Sequence, residues 1–136
     1  MIQRIQTIWM FIAAVAVFIT LQFAFFSGTL ISDNSFYSFT AKDNFILMVL
    51  TSALGTAILI NIFLFKHRSV QFKICIIALL TECLIVFLYI KQTKQFSNWT
   101  YDLWAIFHLV IFIALILAMR GIYKDNKLIK DSNRLR

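Results

Sequence analysis

Apolar residues fall into long runs along this chain, separated by short polar stretches. Four runs can be drawn, over Ile5 to Phe26, Phe45 to Phe65, Ile74 to Ile90 and Leu103 to Met119. Each is close to the roughly 20 residues with which an α-helix crosses the hydrocarbon core of a bilayer. The pattern therefore predicts an all-α fold, an integral membrane four-helix bundle that forms one transmembrane domain over residues 1–136.

The composition favours a membrane protein over a soluble one. Of the 136 residues, 61% are hydrophobic and 14% are charged, proline is absent, and the mean hydropathy is +0.84. Such a chain lacks the polar surface that a soluble domain needs. The net charge of +7 would suit nucleic acid, but the cations flank apolar runs instead of forming a basic face on a soluble element. We therefore expect the lipid bilayer as a partner, and no nucleic acid.

Lysines and arginines are distributed unequally between the two sides of a four-span chain. Only Lys42, Lys91 and Lys94 fall on one side, and the other cations fall on the opposite side. Short loops rich in Lys and Arg stay in the cytoplasm. Both termini are therefore expected to be cytoplasmic, and the stretch from Ser27 to Asn44 becomes the longer external loop.

A layer of polar side chains is predicted inside the outer half of the bundle. At about 1.5 Å per residue, Glu82 lies about 12 Å below the outer boundary, Thr51 about 9 Å, His108 about 8 Å and Gln22 about 6 Å. Glu82 shares the interior face of its helix with Cys75, Ala78, Val86 and Tyr89.

Three interpretations of this layer remain open. A neutral Glu82 could hold two helices together through His108 or Thr51. An intramembrane carboxyl could instead relay protons or bind a ligand, as such groups do in pumps and transporters. The same carboxyl could also pair with a helix of a partner subunit.

The C-terminal residues 120–136 form a basic cytoplasmic tail. Apolar residues recur among its cations at about seven-residue spacing, which is typical of an amphipathic helix on a membrane surface. Such a tail could bind anionic lipid, dock on a cytoplasmic partner, or only fix the topology. The candidate interaction residues at the cytoplasmic face are Arg4, Arg120, Lys124, Lys127, Lys130, Arg134 and Arg136.

Other chemistry has little support in the sequence. Cys75 and Cys83 are eight residues apart in one helix, too far along the axis for a disulfide. A bis-histidine haem would need two intramembrane histidines, and His67 falls in the inner hairpin. No glycine-rich phosphate loop or serine nucleophile motif occurs. We therefore expect no metal, no cofactor and no catalytic residue.

The two ends of the chain resemble the terminal signatures of a known family. These are Met1-Ile2-Gln3-Arg4-Ile5-Gln6-Thr7 at the start and Arg120-Gly121-Ile122, Lys124-Asp125, Lys127-Leu128 and Asn133-Arg134-Leu135-Arg136 at the close. The family consists of small four-helix membrane proteins from Bacteroidota and is catalogued as domain of unknown function 4293. The resemblance implies a multi-pass protein of a Gram-negative inner membrane, and it supplies no activity.

Two functions from different classes follow. The first is a non-enzymatic accessory or scaffold subunit that packs against a larger membrane protein and contacts a cytoplasmic partner or lipid. The alternative is a small proton-coupled carrier or channel, a homo-oligomer, with Glu82 and His108 as its polar pathway. Neither internal inverted repeats nor helices broken by Gly or Pro pairs are visible, and both features are common in transporters. The sequence therefore favours the accessory subunit and a protein that is not an enzyme.

Overall fold

Four α-helices make up most of the molecule. The computed structural model describes the backbone of residues 3–134 and the side chains of residues 5–134. The helices are α1 (Gln3–Gln22), α2 (Phe45–Phe63), α3 (Arg68–Gln92) and α4 (Ile106–Arg134). All four are long and apolar enough to cross a membrane. The prediction of four such helices is therefore confirmed.

The helices pack in chain order, and α4 returns to pack against α1. Large apolar side chains such as Met10, Ile58, Ile85 and Leu115 are fully buried between them. A Cβ atom at Gly55 would lie 2.9 Å from the Phe18 ring. The missing side chain therefore lets α2 approach α1 closely, as small residues do between membrane helices.

A small β-sheet closes one end of the bundle and corrects the all-α prediction. Its strands are β1 (Phe26–Leu30), β2 (Phe36–Phe39) and β3 (Phe96–Tyr101). They pair antiparallel in the order β2-β1-β3. Strands β1 and β2 lie in the stretch that was predicted to be an external loop, and β3 lies in the connection between α3 and α4.

Aromatic side chains pack between the three strands, and Phe39 also contacts Tyr89 of α3, with the ring centroids 6.2 Å apart. Phe26, Phe39 and Phe96 are buried, and the Phe26 ring lies 5.1 Å from that of Phe39 and 5.0 Å from that of Phe96. A Cβ atom at Gly28 would lie only 2.9 Å from the Cα atom of Trp99. Glycine at this position therefore permits the close approach of β1 and β3.

Three helix boundaries differ from the predicted ones by more than three residues. Helix α1 ends at Gln22 and not at Phe26, because the chain turns into β1 and the Phe25 N–H bonds to the Phe39 carbonyl. Helix α3 begins at Arg68 and not at Ile74, and α4 continues past Met119 to Arg134. Hydropathy marks only the apolar part of a helix, whereas backbone hydrogen bonding continues into the polar part. Residues 120–134 of the basic tail are thus a continuation of α4 and not a separate helix.

The two ends of the bundle carry different features. One end contains the start of α1, the α2–α3 connection and the last part of α4, where Arg68 and Asn126 line the same cavity. We name it the basic end. The opposite end contains the three strands, and we name it the sheet end.

Candidate functional site

The central polar contact joins α3 to α4. Oε1 of Glu82 lies 2.6 Å from Nδ1 of His108. Glu82 is 1% exposed and His108 is 5% exposed. Both project into the bundle because they fall on the interior stripes of their helices, with Ala78, Ile85 and Tyr89 on α3.

A single proton joins the two side chains. Either a carboxylic acid donates to a neutral imidazole, or the Nδ1–H of a neutral or protonated imidazole donates to a carboxylate, and each form keeps the 2.6 Å hydrogen bond. Charges are costly to bury unless they are paired and hydrogen-bonded. Each side chain of the pair therefore satisfies a partner that would be costly to bury alone.

Aromatic rings enclose the pair on the side of the sheet. The Phe25 ring stacks on Tyr89 with the centroids 4.4 Å apart. The imidazole of His108 meets Phe25 edge-on at 5.1 Å and Tyr89 at 5.4 Å. The Tyr89 hydroxyl is buried and has no hydrogen-bond partner among the described residues. Phe25, between α1 and β1, and Tyr89 of α3 thus pack against the imidazole of His108.

The other two members of the predicted polar layer lie elsewhere. Thr51 is buried in α2, but its hydroxyl donates to the Leu47 carbonyl of its own helix at 2.7 Å. Gln22 is the last residue of α1 and is exposed, and its Oε1 accepts a 2.6 Å hydrogen bond from Nζ of Lys42. A hydrogen bond therefore joins Glu82 to His108, whereas the hydrogen bonds of Thr51 and Gln22 go to other partners.

A second buried polar contact, which the sequence did not predict, joins α1 to α4 at the basic end. Nε2 of Gln6 donates to Oδ2 of Asp125 at 2.5 Å, and both residues are buried. A Cβ atom at Gly121 would lie 2.6 Å from Cγ of Gln6. Gly121 and Asp125 are four residues apart and share one face of α4, which was the available signal. These residues belong to the two terminal signatures, so the signatures contact each other.

A third polar contact joins α2 to α3, and it involves α1 as well. Nδ2 of Asn61 lies 3.2 Å from the Gln71 carbonyl and 3.2 Å from Sγ of Cys75. Nε2 of Gln71 in turn donates to the Asn61 carbonyl at 3.2 Å and to Sδ of Met10 at 3.5 Å. Buried polar contacts therefore join α1 to α4, α2 to α3 and α3 to α4.

The predicted cytoplasmic interaction residues are exposed where the structure describes them. This holds for five cations of α4, namely Arg120, Lys124, Lys127, Lys130 and Arg134. The side chain of Arg4 and the whole of Arg136 lie outside the described part. Over the described residues, no three His, Cys, Asp or Glu side chains are grouped so as to hold a metal ion.

Comparison with known proteins identifies a family. A family model described as Domain of unknown function (DUF4293) matches residues 2–135. No curated protein and no solved structure matches the chain. Because the family model spans nearly the whole length, the chain belongs to the DUF4293 family of unknown function.

Proposed function

We propose that this protein is a non-enzymatic accessory or scaffold subunit of a complex in a bacterial inner membrane. The observation that carries the proposal is a lateral groove between α2 and α3. It is an apolar cavity of about 450 Å³, and its lining includes Leu50, Ala53, Ala57, Ile74, Ile77 and Ala78.

The groove suits a transmembrane helix of a larger protein. Between helices in lipid there is little hydrophobic driving force, so they associate where small residues allow close packing. Ala53 and Ala57 lie four residues apart, on one face of α2, and Ala78 lies across from them on α3. The large residues Ile60 and Ile77, which also line the groove, are exposed beside them. A partner helix would therefore fit into the depression between these large residues. Flexible lipid chains would fill that depression less completely.

The interior polar contacts support a scaffold role. Glu82 with His108, Gln6 with Asp125, and Asn61 with Gln71 each cross between two helices. Contacts of this kind stabilise membrane bundles by about 0.6 kcal/mol on average. Three of them would hold the four helices in a fixed arrangement, which a docking surface requires.

The orientation follows from the distribution of cations. Lys66, Arg68 and the exposed cations of α4 lie at the basic end, whereas Lys42, Lys91 and Lys94 lie at or near the sheet end. By the positive-inside rule, the basic end faces the cytoplasm and both termini lie there. The cations of α4 would then be available to a cytoplasmic partner or to lipid headgroups.

Co-purification tests the proposal. A tagged chain is extracted with a mild detergent from its native membrane, and the proteins that elute with it are identified by mass spectrometry. We expect a larger membrane protein in stoichiometric amount, lost in an Ala53→Phe/Ala57→Phe variant. Leu109→Phe, which adds an aromatic ring at an exposed position of α4, should retain the partner. A homo-oligomer alone in the wild-type eluate would overturn the proposal.

A second candidate function rests on the 2.6 Å contact between Glu82 and His108. Intramembrane Glu and His side chains form proton relays in pumps and transporters. A small proton-coupled carrier or channel would use this pair as its proton-binding site. Proton flux into vesicles that contain the purified protein, measured with a pH-sensitive dye, tests this alternative. Flux that is abolished in Glu82→Gln, at normal protein levels, would favour it over the scaffold.

A further inference from the structure

We infer that the groove between α3 and α4 at the basic end binds an anionic glycerophospholipid. This groove is a cavity of about 550 Å³. Phe72 contributes to it from α3, and α4 contributes Ile116, Met119, Arg120, Tyr123, Lys124 and Lys127. The inference is independent of the proposed scaffold role, because it concerns another face of the bundle and a lipid instead of a protein.

The lining residues change from apolar to cationic along α4. Ile116 and Met119 come first, within the apolar part of the helix, and Arg120, Lys124 and Lys127 follow toward its end. At 1.5 Å per residue, Ile116 and Lys127 are separated by about 16 Å along the axis. An acyl chain would lie beside Phe72, Ile116 and Met119, and a phosphate would lie at the level of the cations.

The charge of the groove is not balanced by neighbouring acids. Arg120, Lys124 and Lys127 are exposed, and no acidic residue is among its described lining. Asp125 lies between two of these lysines in the sequence, but it is buried against α1, where it accepts from Gln6. Asp131 does not line the groove. Three cations of α4 thus line one cavity, and no carboxylate is among its described lining. Basic pockets between membrane helices on the cytoplasmic side bind lipid phosphates.

The apolar part of the groove lining favours a lipid over an acidic peptide as the ligand. The lining of the groove continues from the cations onto Phe72, Ile116 and Met119, which lie in segments apolar enough to cross a membrane. A soluble peptide would have to leave water to reach that part of the groove. A phospholipid already has its acyl chains in hydrocarbon and its phosphate at the interface, so both parts of the groove match one molecule.

Lipid retention measured by native mass spectrometry tests the inference. The purified chain in detergent is mixed with phosphatidylglycerol, with zwitterionic phosphatidylcholine, or with inorganic phosphate. We expect retention of phosphatidylglycerol above that of phosphatidylcholine and no retained phosphate. In Lys124→Gln/Lys127→Gln, retention should fall at least about fivefold, since each cation near a headgroup contributes up to about 1 kcal/mol.

The matched control is Lys130→Gln/Arg134→Gln, which removes the same charge from the same helix outside the groove. It should retain phosphatidylglycerol to within about twofold. Met119→Trp, which fills the apolar part of the groove without changing the charge, should lower retention as well. Thermal unfolding of each variant in detergent checks that the fold is intact.

Three outcomes would overturn the inference. Equal losses in the groove variant and the control variant would mean that the tail attracts lipid only through its total charge. Equal retention of phosphatidylglycerol and phosphatidylcholine would show that the net negative charge of the headgroup does not contribute to binding. Binding of inorganic phosphate as tight as that of phosphatidylglycerol would make the groove a site for a free anion.

Discussion

The side-chain amide of Gln6, near the start of α1, donates a 2.5 Å hydrogen bond to the buried carboxyl of Asp125, 119 residues later in α4. The α4 backbone comes close enough for this contact because residue 121 is a glycine. The similarity of the two chain ends to the family signatures therefore has a structural explanation, because part of each signature packs on the other. The signature cations that the structure describes, Arg120, Lys124, Lys127 and Arg134, are exposed and available for the proposed interactions.

Replacement of one residue of the Gln6–Asp125 contact should lower the free energy of unfolding more than replacement of both. In Gln6→Leu the carboxyl of Asp125 stays buried without a donor, and we expect a loss of about 1–3 kcal/mol in the free energy of unfolding. Gln6→Leu/Asp125→Leu should recover much of that loss, because no polar group is left unpaired. Chemical unfolding in detergent measures both, with the exposed Lys130→Leu as control. A double variant as unstable as the single one would contradict this account.

The contact between Glu82 and His108 should tolerate an amide but not an alkyl group. Glu82→Gln keeps an oxygen that accepts from Nδ1 of His108, so the bundle should unfold at nearly the wild-type temperature. Glu82→Leu leaves the imidazole buried without its partner, and we expect a loss of about 1–3 kcal/mol. Thermal unfolding in detergent compares the two variants. A Glu82→Gln protein as unstable as Glu82→Leu would show that the carboxyl group itself is required.

Gly28 should be intolerant of any side chain. Its Cβ atom would lie 2.9 Å from the backbone of Trp99, so Gly28→Ala must push β1 and β3 apart. Steric overpacking of this kind costs about 1–3 kcal/mol. Hydrogen exchange of the β3 amides should become faster, while the amides of α2 keep their protection. Ser38→Ala, at an exposed position of β2, should leave the exchange of β3 unchanged.

The turn before α2 should lose stability in acid. Burial raises the pKa of Asp43, but hydrogen bonds from the Tyr37 hydroxyl and from the backbone and side chain of Thr40 outweigh it, so the pKa is lowered from 3.8. A carboxyl with a depressed pKa in the folded state stabilises above its unfolded pKa, and this contribution disappears as the pH falls through the folded value. The turn should therefore loosen below about pH 3.8.

An NMR titration of the Asp43 carboxyl measures this effect. Tyr37→Phe removes one of the donors and should move the pKa of Asp43 upward, toward its ordinary value. The opposite shift applies to the tyrosine, because the hydrogen bond and the negative charge of Asp43 raise the pKa of Tyr37 above 10.0. The contribution of the Tyr37–Asp43 hydrogen bond to stability should be complete below pH 10 and should be lost above it, as the phenol ionises. A Tyr37→Phe variant with an unchanged Asp43 titration would contradict the role of this contact.

The amino-acid sequence alone determined the four apolar helices. Whether about 20 consecutive residues can remain in hydrocarbon is a property of those residues, so it can be predicted without their neighbours. The position of Glu82 on the interior face of its helix followed from the helical period. The same reasoning assigned His108 a similar depth, and the structure brings the two side chains together.

The tertiary structure decided everything that depends on pairing between distant residues. The strands are only four to six residues long, and β1 pairs with β3 from about 70 residues away. No local pattern in the sequence therefore predicts the sheet. The Gln6–Asp125 contact likewise exists only because α4 continues beyond its apolar run and packs on α1. Thr51 shows the converse, since its hydroxyl bonds within its own helix although its depth suited the layer. Depth along a helix is a local property, whereas a hydrogen bond between helices depends on how they pack.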